Sequence, residues 1–325
     1  MKAFTRTQYG GPEVLQLEEL DKPLIKDDQI LVQVMANSVN PADWHILRGK
    51  PFFARFAFGL FKPKDRIPGA DFAGIVVQTG TQVKAFKVGE KVFGESINGG
   101  AFAAYIAVPP DVCAPMPEGV AFSEMACAPI AGLTALQALL VHGNIKKGDT
   151  VLINGASGGV GHLTIQIAKA YGARVTAVCS SKNIEFVQRM GADQVIPYDS
   201  ENIHAHKAKY DLVIDNHGNL RHKDFRRMGR RGVVVGFTSM GHMVRLLLEN
   251  VFRSYPLAQF TAKANTSDLK VLGSLIQKGS IKVHIEKSFS FRDLPKAIAF
   301  IEDMRTRGKV AVLWDDVPVA LEAEK

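Results

Sequence analysis

The stretch Val151 to Gly172 constrains this chain more than any other. Four apolar or β-prone residues, Val151 to Asn154, run into the turn Gly155-Ala156-Ser157-Gly158-Gly159-Val160-Gly161. Val160, Leu163, Ile167 and Ala168 then recur on one side of a helical pattern. From Ala156 the turn carries the dinucleotide spacing G-x-G-x-x-G with alanine in the first place; Gly155, Gly158 and Gly161 also scan as G-x-x-G-x-x-G. Residues without a Cβ let the chain turn sharply, admit a pyrophosphate to the backbone and press the new helix onto its strand. The free N–H groups and positive dipole end of that helix then face the phosphates. A second strand, Arg174 to Cys179, follows at the right distance, so the segment reads as a dinucleotide site.

A chain of 325 residues, 46% hydrophobic, is long enough for two domains with full cores. It has no apolar run of about 18 residues, and Met1 to Arg6 reads into a strand instead of a targeting signal; a cytoplasmic protein is expected. Cys113, Cys127 and Cys179 are odd in number and far apart, which suggests buried apolar residues and no disulfide or thiolate metal site. A net charge of +8 favours an anionic partner: nucleic acid, an anionic membrane surface or a phosphorylated cofactor.

Up to about Val120, short β-like runs separated by turns (Leu15 to Leu20, Gln29 to Ser38, Gly74 to Thr79, Lys91 to Phe93, Phe102 to Val108), without helices between them, predict a β-rich unit. From Ser123 a helical segment to His142 leads into alternating strands and helices, the grammar of a doubly wound parallel sheet that binds ligands at its strand C-terminal edge. The segment Gly49 to Pro63 holds five phenylalanines, which suit an apolar substrate wall, a core plug or, with Lys50, Arg55 and Lys62, a membrane-touching tip. The basic run Arg221 to Arg231 suits a solvated helix face or a nucleic-acid contact.

The β-rich start, the Gly-Ala-Ser-Gly-Gly-Val-Gly turn and the closing Arg307-Gly308-Lys309-Val310 together resemble the medium-chain dehydrogenase/reductase superfamily, in its zinc-free quinone oxidoreductase branch. Tyr9 to Pro12, Val39 to Asp43, Pro68 to Gly74, Gly89 to Gly94 and Ala131 to Leu136 extend the likeness over nearly the whole chain. The resemblance implies an α/β protein: a Rossmann doubly wound parallel sheet over 122–262, and a β-rich GroES-like catalytic domain from 1–121 and 263–325, commonly as a homodimer. Zinc-dependent relatives carry Cys at the place of Asn40 and Gly-His-Glu at the place of Gly69-Ala70-Asp71, so no metal is expected. The histidines are scattered and are read as surface or capping residues.

An NAD-preferring fold places an acid about 20 residues beyond the glycines, where this chain has Ser180-Ser181-Lys182. Two hydroxyls and an ammonium suit a 2′-phosphate, so NADP(H) is the expected cofactor. The resemblance adds Tyr198 to that set and places Thr134, Asn40 and Lys309 beside the cofactor; strand ends predict Asn216 and Phe237 there too. With no metal, an oxyanion needs hydrogen-bond donors, and Asn40 and His45 are the candidate catalytic residues. His45 is equally readable as a packed neighbour of Trp44. The expected activity is NADPH-dependent hydride transfer to a small apolar quinone or α,β-unsaturated carbonyl; the rivals are a zinc-free alcohol dehydrogenase and a crystallin-like NADPH-binding regulator with nucleic-acid affinity.

Overall fold

The computed structural model describes residues 1–236, 240–252 and 255–314. In chain order the strands are β1 (Lys2–Thr5), β2 (Gln16–Glu19), β3 (Ile30–Val39), β4 (Asp71–Thr79), β5 (Lys91–Glu95), β6 (Tyr105–Val108), β7 (Cys113–Pro115), β8 (Thr150–Asn154), β9 (Arg174–Cys179), β10 (Gln194–Pro197), β11 (Tyr210–Asp215), β12 (Gly229–Val234), β13 (Leu257–Gln259), β14 (Ile285–Ser290) and β15 (Lys309–Leu313). The helices are α1 (Pro41–Arg48), α2 (Arg55–Phe58), α3 (Phe122–Ala126), α4 (Pro129–Gln137), α5 (Gly161–Ala170), α6 (Ile184–Arg189), α7 (His222–Met228), α8 (Met240–Phe252), α9 (Thr266–Gln277) and α10 (Leu294–Glu302). They form two compact units: Met1–Ile130 with Ala264–Gln277 and His284–Lys325, and Ala131–Lys263 with Lys278–Val283.

The first unit is built on β3. This strand is ten residues long and almost wholly buried, because β4, β6 and β15 all pair with it. Its sheet runs β14-β15-β3-β4-β5-β7, with β6 also on β3. Ile30, Val32 and Val34 join Phe72, Val92 and Ile106 in one core. A second core gathers Phe4, Leu47, Phe102, Phe291 and Ile298 beneath α10. Burying five such side chains contributes on the order of 10 kcal/mol, at about 2 kcal/mol for each.

The second unit is a six-stranded sheet, β10-β9-β8-β11-β12-β13, with every pair parallel. The order steps outward from β8 in both directions, so the C-terminal ends of β8, β9 and β11 border the point where the winding reverses. Its core includes Leu152, Val178, Val213, Phe225 and Val234. Lys278–Val283 groups with this unit, where Gln166 on α5 donates to Lys282 O and accepts from Lys282 N, at 3.0 and 2.8 Å.

Three local expectations are corrected. The β-rich region contains a full helix, α1, which period-2 reading passed over because Pro41-Ala42-Asp43 gives no apolar alternation. The segment Ser123 to His142 is not one helix. Pro129 has no N–H and restrains Ala128, so α3 and α4 are separate pieces, and the second closes in a π-helical turn at Ala138–His142. His162 and His222 are fully buried, not surface groups.

Part of the basic run from Arg221 is turned onto acids of the chain, while Lys223, Arg226 and Arg230 are exposed. Asp224, fully buried, accepts from Arg221 Nε at 3.2 Å and Arg227 Nη1 at 3.1 Å, and its Oδ2 lies 2.8 Å from His204 Nδ1. Arg231 pairs with Asp149 at 2.6 Å. Asp224→Ala would leave Arg221 and Arg227 facing the gap left by a buried carboxylate. We expect a loss of about 3 kcal/mol of stability, read as a lower urea midpoint at unchanged slope; a midpoint within error of the wild type would show that the network contributes nothing.

Candidate functional site

The glycine-rich turn lies between β8 and α5 as the sequence predicted. Gly155 has φ +72°, a left-handed conformation that favours glycine. At Gly161 a Cβ would come within 2.2 Å of Gly155 O, so only glycine lets α5 start this close to its strand. A Cβ at Gly158, by contrast, would meet nothing nearer than 3.7 Å, which leaves that backbone open to a ligand. Ser157 Oγ accepts from Asn183 Nδ2 at 3.0 Å and so ties the turn to the segment after β9.

Two groups at the neighbouring strand ends are buried without partners. Among the described residues, Ser180 Oγ, after β9, has none, and neither polar atom of the Asn216 amide, after β11, has one. Such groups normally find a hydrogen bond, so each marks a place where a polar ligand completes the structure. The turn after β11 is held rigid for this. Asp215 accepts from Gly218 N and Leu220 N at 2.8 Å each and from Asn154 Nδ2 at 2.7 Å. An open backbone at Gly158 and two orphaned groups suit a bound dinucleotide.

The remaining expected cofactor residues fall as follows. Gly159 and Val160 complete the turn, and Thr134 is half-buried on α4. Lys182 is exposed, and Tyr198 is 59% exposed on the strand end beside it. Ser181 differs from Ser180, because its N–H and Oγ both donate to Asp199, the hydroxyl at 2.6 Å. Phe237 lies outside the described residues.

Asn40 and Lys309 meet in the first unit. Asn40 ends β3 and precedes α1, where its N–H donates to Asp43 Oδ2 at 2.7 Å. Its Nδ2 donates to Asp71 Oδ2 at 2.9 Å, and its Oδ1 accepts from the Lys309 ammonium. That ammonium is 3% exposed and lies 3.6 Å from Asp71 Oδ2. Asp71 Oδ1 accepts from Ile130 N at 3.0 Å. Glu95, opposite Asp71 in the β4–β5 register, is buried with Oε2 unpartnered. Burial pushes Asp43 up to about 7 and Glu95 up to about 8, reinforced in each by the Asp71 carboxylate. Burial also raises Asp71, opposed by Lys309 and the Asn40 amide. Nothing along the chain points to Glu95, because only the pairing of β4 with β5 brings it here.

His45 on α1 stacks on Trp44 with ring centroids 3.6 Å apart, and its Nδ1 lies 3.2 Å from Lys50 O. Burial lowers its pKa, so it is neutral at pH 7 and no source of an imidazolium proton. Of the phenylalanines, Phe52, Phe56 and Phe61 are exposed, the last at 90%, which corrects the core-plug reading. Phe58 instead lines a small pocket with Arg6, Asp43, Ile46, Ala70 and Ile97.

Residues 26–118 match the alcohol dehydrogenase GroES-like domain, and residues 190–312 match the zinc-binding dehydrogenase family. The chain is 34% identical to the 2-methylene-furan-3-one reductase of Solanum lycopersicum, over 96% of this chain and 79% of that protein. Its fold is similar to the quinone oxidoreductase of Coxiella burnetii (TM-score 0.86, 31% identity, 96% and 99% of the chains). It is also similar to the Escherichia coli quinone oxidoreductase complexed with NADPH (TM-score 0.80, 25% identity, 96% and 100%). The chain belongs to the medium-chain dehydrogenase/reductase superfamily, in its zinc-independent quinone and enoyl oxidoreductase branch.

The zinc implied by one family description does not fit the residues here. Asn40 and Ala70 offer neither thiolate nor imidazole, and Asp71 is engaged by an ammonium. Among the described residues, no group of three or more His, Cys, Asp or Glu is arranged to hold a metal ion.

The raised acids make stability depend on pH. Between about pH 4.5 and 8 the folded chain keeps Glu95 protonated while the unfolded chain releases that proton, so stability falls as pH rises across this window. Glu95→Gln removes the titration and should melt higher than wild type at pH 8, by about 2 kcal/mol, with the gap closing toward pH 5. Parallel pH profiles of Tm for the two proteins would contradict this.

Proposed function

We propose that the protein is an NADPH-dependent reductase of quinones and α,β-unsaturated carbonyl compounds that works without zinc. The observation that carries this reading is the closed amide, carboxylate and ammonium set of Asn40, Asp71 and Lys309, with Asn40 and Ala70 at the positions where zinc-dependent relatives carry metal ligands. The intact glycine turn with its orphaned Ser180 and Asn216 supports the coenzyme half of the reading. Cytoplasmic residence, a homodimer and no nucleic-acid role complete the proposal. For the last, Arg221, Arg227 and Arg231 are engaged by acids of the chain itself. Among the described residues, no helix is long and apolar enough to cross a membrane.

Bound NADPH supplies a hydride. The chain must hold its phosphates and stabilise the charge that develops on the acceptor oxygen. Asn40 is the donor for that oxygen; its Nδ2 rests on the Asp71 carboxylate and beside that of Asp43. Lys309, donating to Oδ1, polarises the amide and strengthens its N–H groups as donors. One amide suffices for a conjugated acceptor, whose charge spreads into an enolate or hydroquinone anion. A simple ketone concentrates the charge on one oxygen and needs more help. His45, neutral at pH 7, offers a hydrogen bond whose direction follows its tautomer.

Asn40→Ala should lower kcat/KM for quinones and enones by roughly a hundredfold, with NADPH affinity nearly unchanged. A loss of less than threefold would remove Asn40 from the chemistry. Turnover of simple ketones with none of quinones or enones would overturn the reading as a whole. At the 2′-phosphate, Lys182→Glu should weaken NADPH binding by roughly tenfold to a hundredfold, measured by titration of nicotinamide fluorescence. An unchanged affinity would take Lys182 out of the site.

A further inference from the structure

Tyr198 and Asp199 follow β10, the strand beside β9, and Tyr198 N donates to Cys179 O at 2.9 Å. That bond fixes Asp199 against the turn Ser180-Ser181-Lys182. The carboxylate takes both donors of Ser181. Its two oxygens lie 3.0 and 3.1 Å from the Ser181 N–H nitrogen, and the Ser181 hydroxyl donates to Oδ1 at 2.6 Å. A main-chain amide with an adjacent hydroxyl is what a phosphate oxygen seeks, so Asp199 already does for Ser181 what a 2′-phosphate would do. The Ser181 hydrogen bonds hold its carboxyl below the usual range, and it is ionised at neutral pH. Nearby, Ser180 Oγ is without a partner, and Lys182 is exposed. This corner therefore has one spent serine, one unspent serine, one cation and one anion.

We propose that Asp199 is a specificity-determining residue that weakens the hold on the coenzyme 2′-phosphate and so sets, against Lys182, how far NADPH is preferred over NADH. The inference rests on the coenzyme site proposed above. A 2′-phosphate placed on Ser180, Lys182 and Tyr198 must displace the Asp199 carboxylate from Ser181 or settle beside a like charge, and either costs affinity. The 2′-hydroxyl of NADH meets neither penalty, and it can donate to a carboxylate. Discrimination in the wild type is thus smaller than Ser180, Lys182 and Tyr198 would give alone, and NADH binds measurably.

The test is equilibrium binding without an acceptor substrate. NADPH and NADH are titrated separately by fluorescence or calorimetry into the full chain as wild type, Asp199→Asn and Asp199→Ser. Position 199 is exposed, and a melting curve for each variant checks the fold. We expect both substitutions to tighten NADPH about fivefold to tenfold and to change NADH less than twofold. Unchanged or weaker NADPH binding in both variants, with NADH binding retained, overturns the role of Asp199 and leaves the coenzyme site standing. Equal tightening of both coenzymes also overturns it, because the effect would then not act through the 2′-phosphate. A wild type that binds neither coenzyme overturns the site and this inference together.

Discussion

The first unit depends on a buried ammonium. Lys309 opens β15, Asn40 closes β3 and Asp71 opens β4, so one amide, one carboxylate and one cation join three adjacent strands at a single end of the sheet. Removing these charges from water is costly and is offset only when nearly every donor and acceptor is met. Asp71 meets the condition with three partners: Lys309, the Asn40 amide and Ile130 N. The arrangement also fixes the orientation of Asn40. Its oxygen is drawn to Lys309 and its nitrogen to Asp71.

The same low-dielectric surroundings explain the protonation of the neighbouring acids. One lysine cannot balance Asp71, Asp43 and Glu95 together, and burial resolves the excess by holding protons on Glu95 and, in part, on Asp43 near neutral pH. The +8 charge of the chain is dispersed by a related logic, since part of its arginine content is turned onto buried or half-buried carboxylates such as Asp224 and Asp149.

In the second unit the governing constraint is backbone approach. Gly161 lets α5 begin against the end of β8, and Asp215 locks the turn after β11, leaving Ser180 and Asn216 as polar groups without internal partners beside an open backbone. Both unpartnered groups lie beside the point where the strand order reverses.

The sequence by itself determined the parallel sheet, the glycine turn between β8 and α5, the family and the absence of zinc ligands at Asn40 and Ala70. These rest on local spacing and residue type, which survive in one dimension. It also determined that Ser180, Ser181 and Lys182 stand together after β9. It did not show that Ser181 is already engaged, because Asp199 is eighteen residues away and arrives only through the pairing of β10 with β9. Glu95 was beyond it for the same reason, as was the contact of Lys309 with Asp71: β4–β5 and β3–β15 pairing brings them together, and no periodicity records a charge contact across strands. The pKa of Glu95 and the orientation of the Asn40 amide are properties of burial and partner geometry. Only the tertiary structure decided them, since desolvation depends on what surrounds a group and not on its neighbours along the chain.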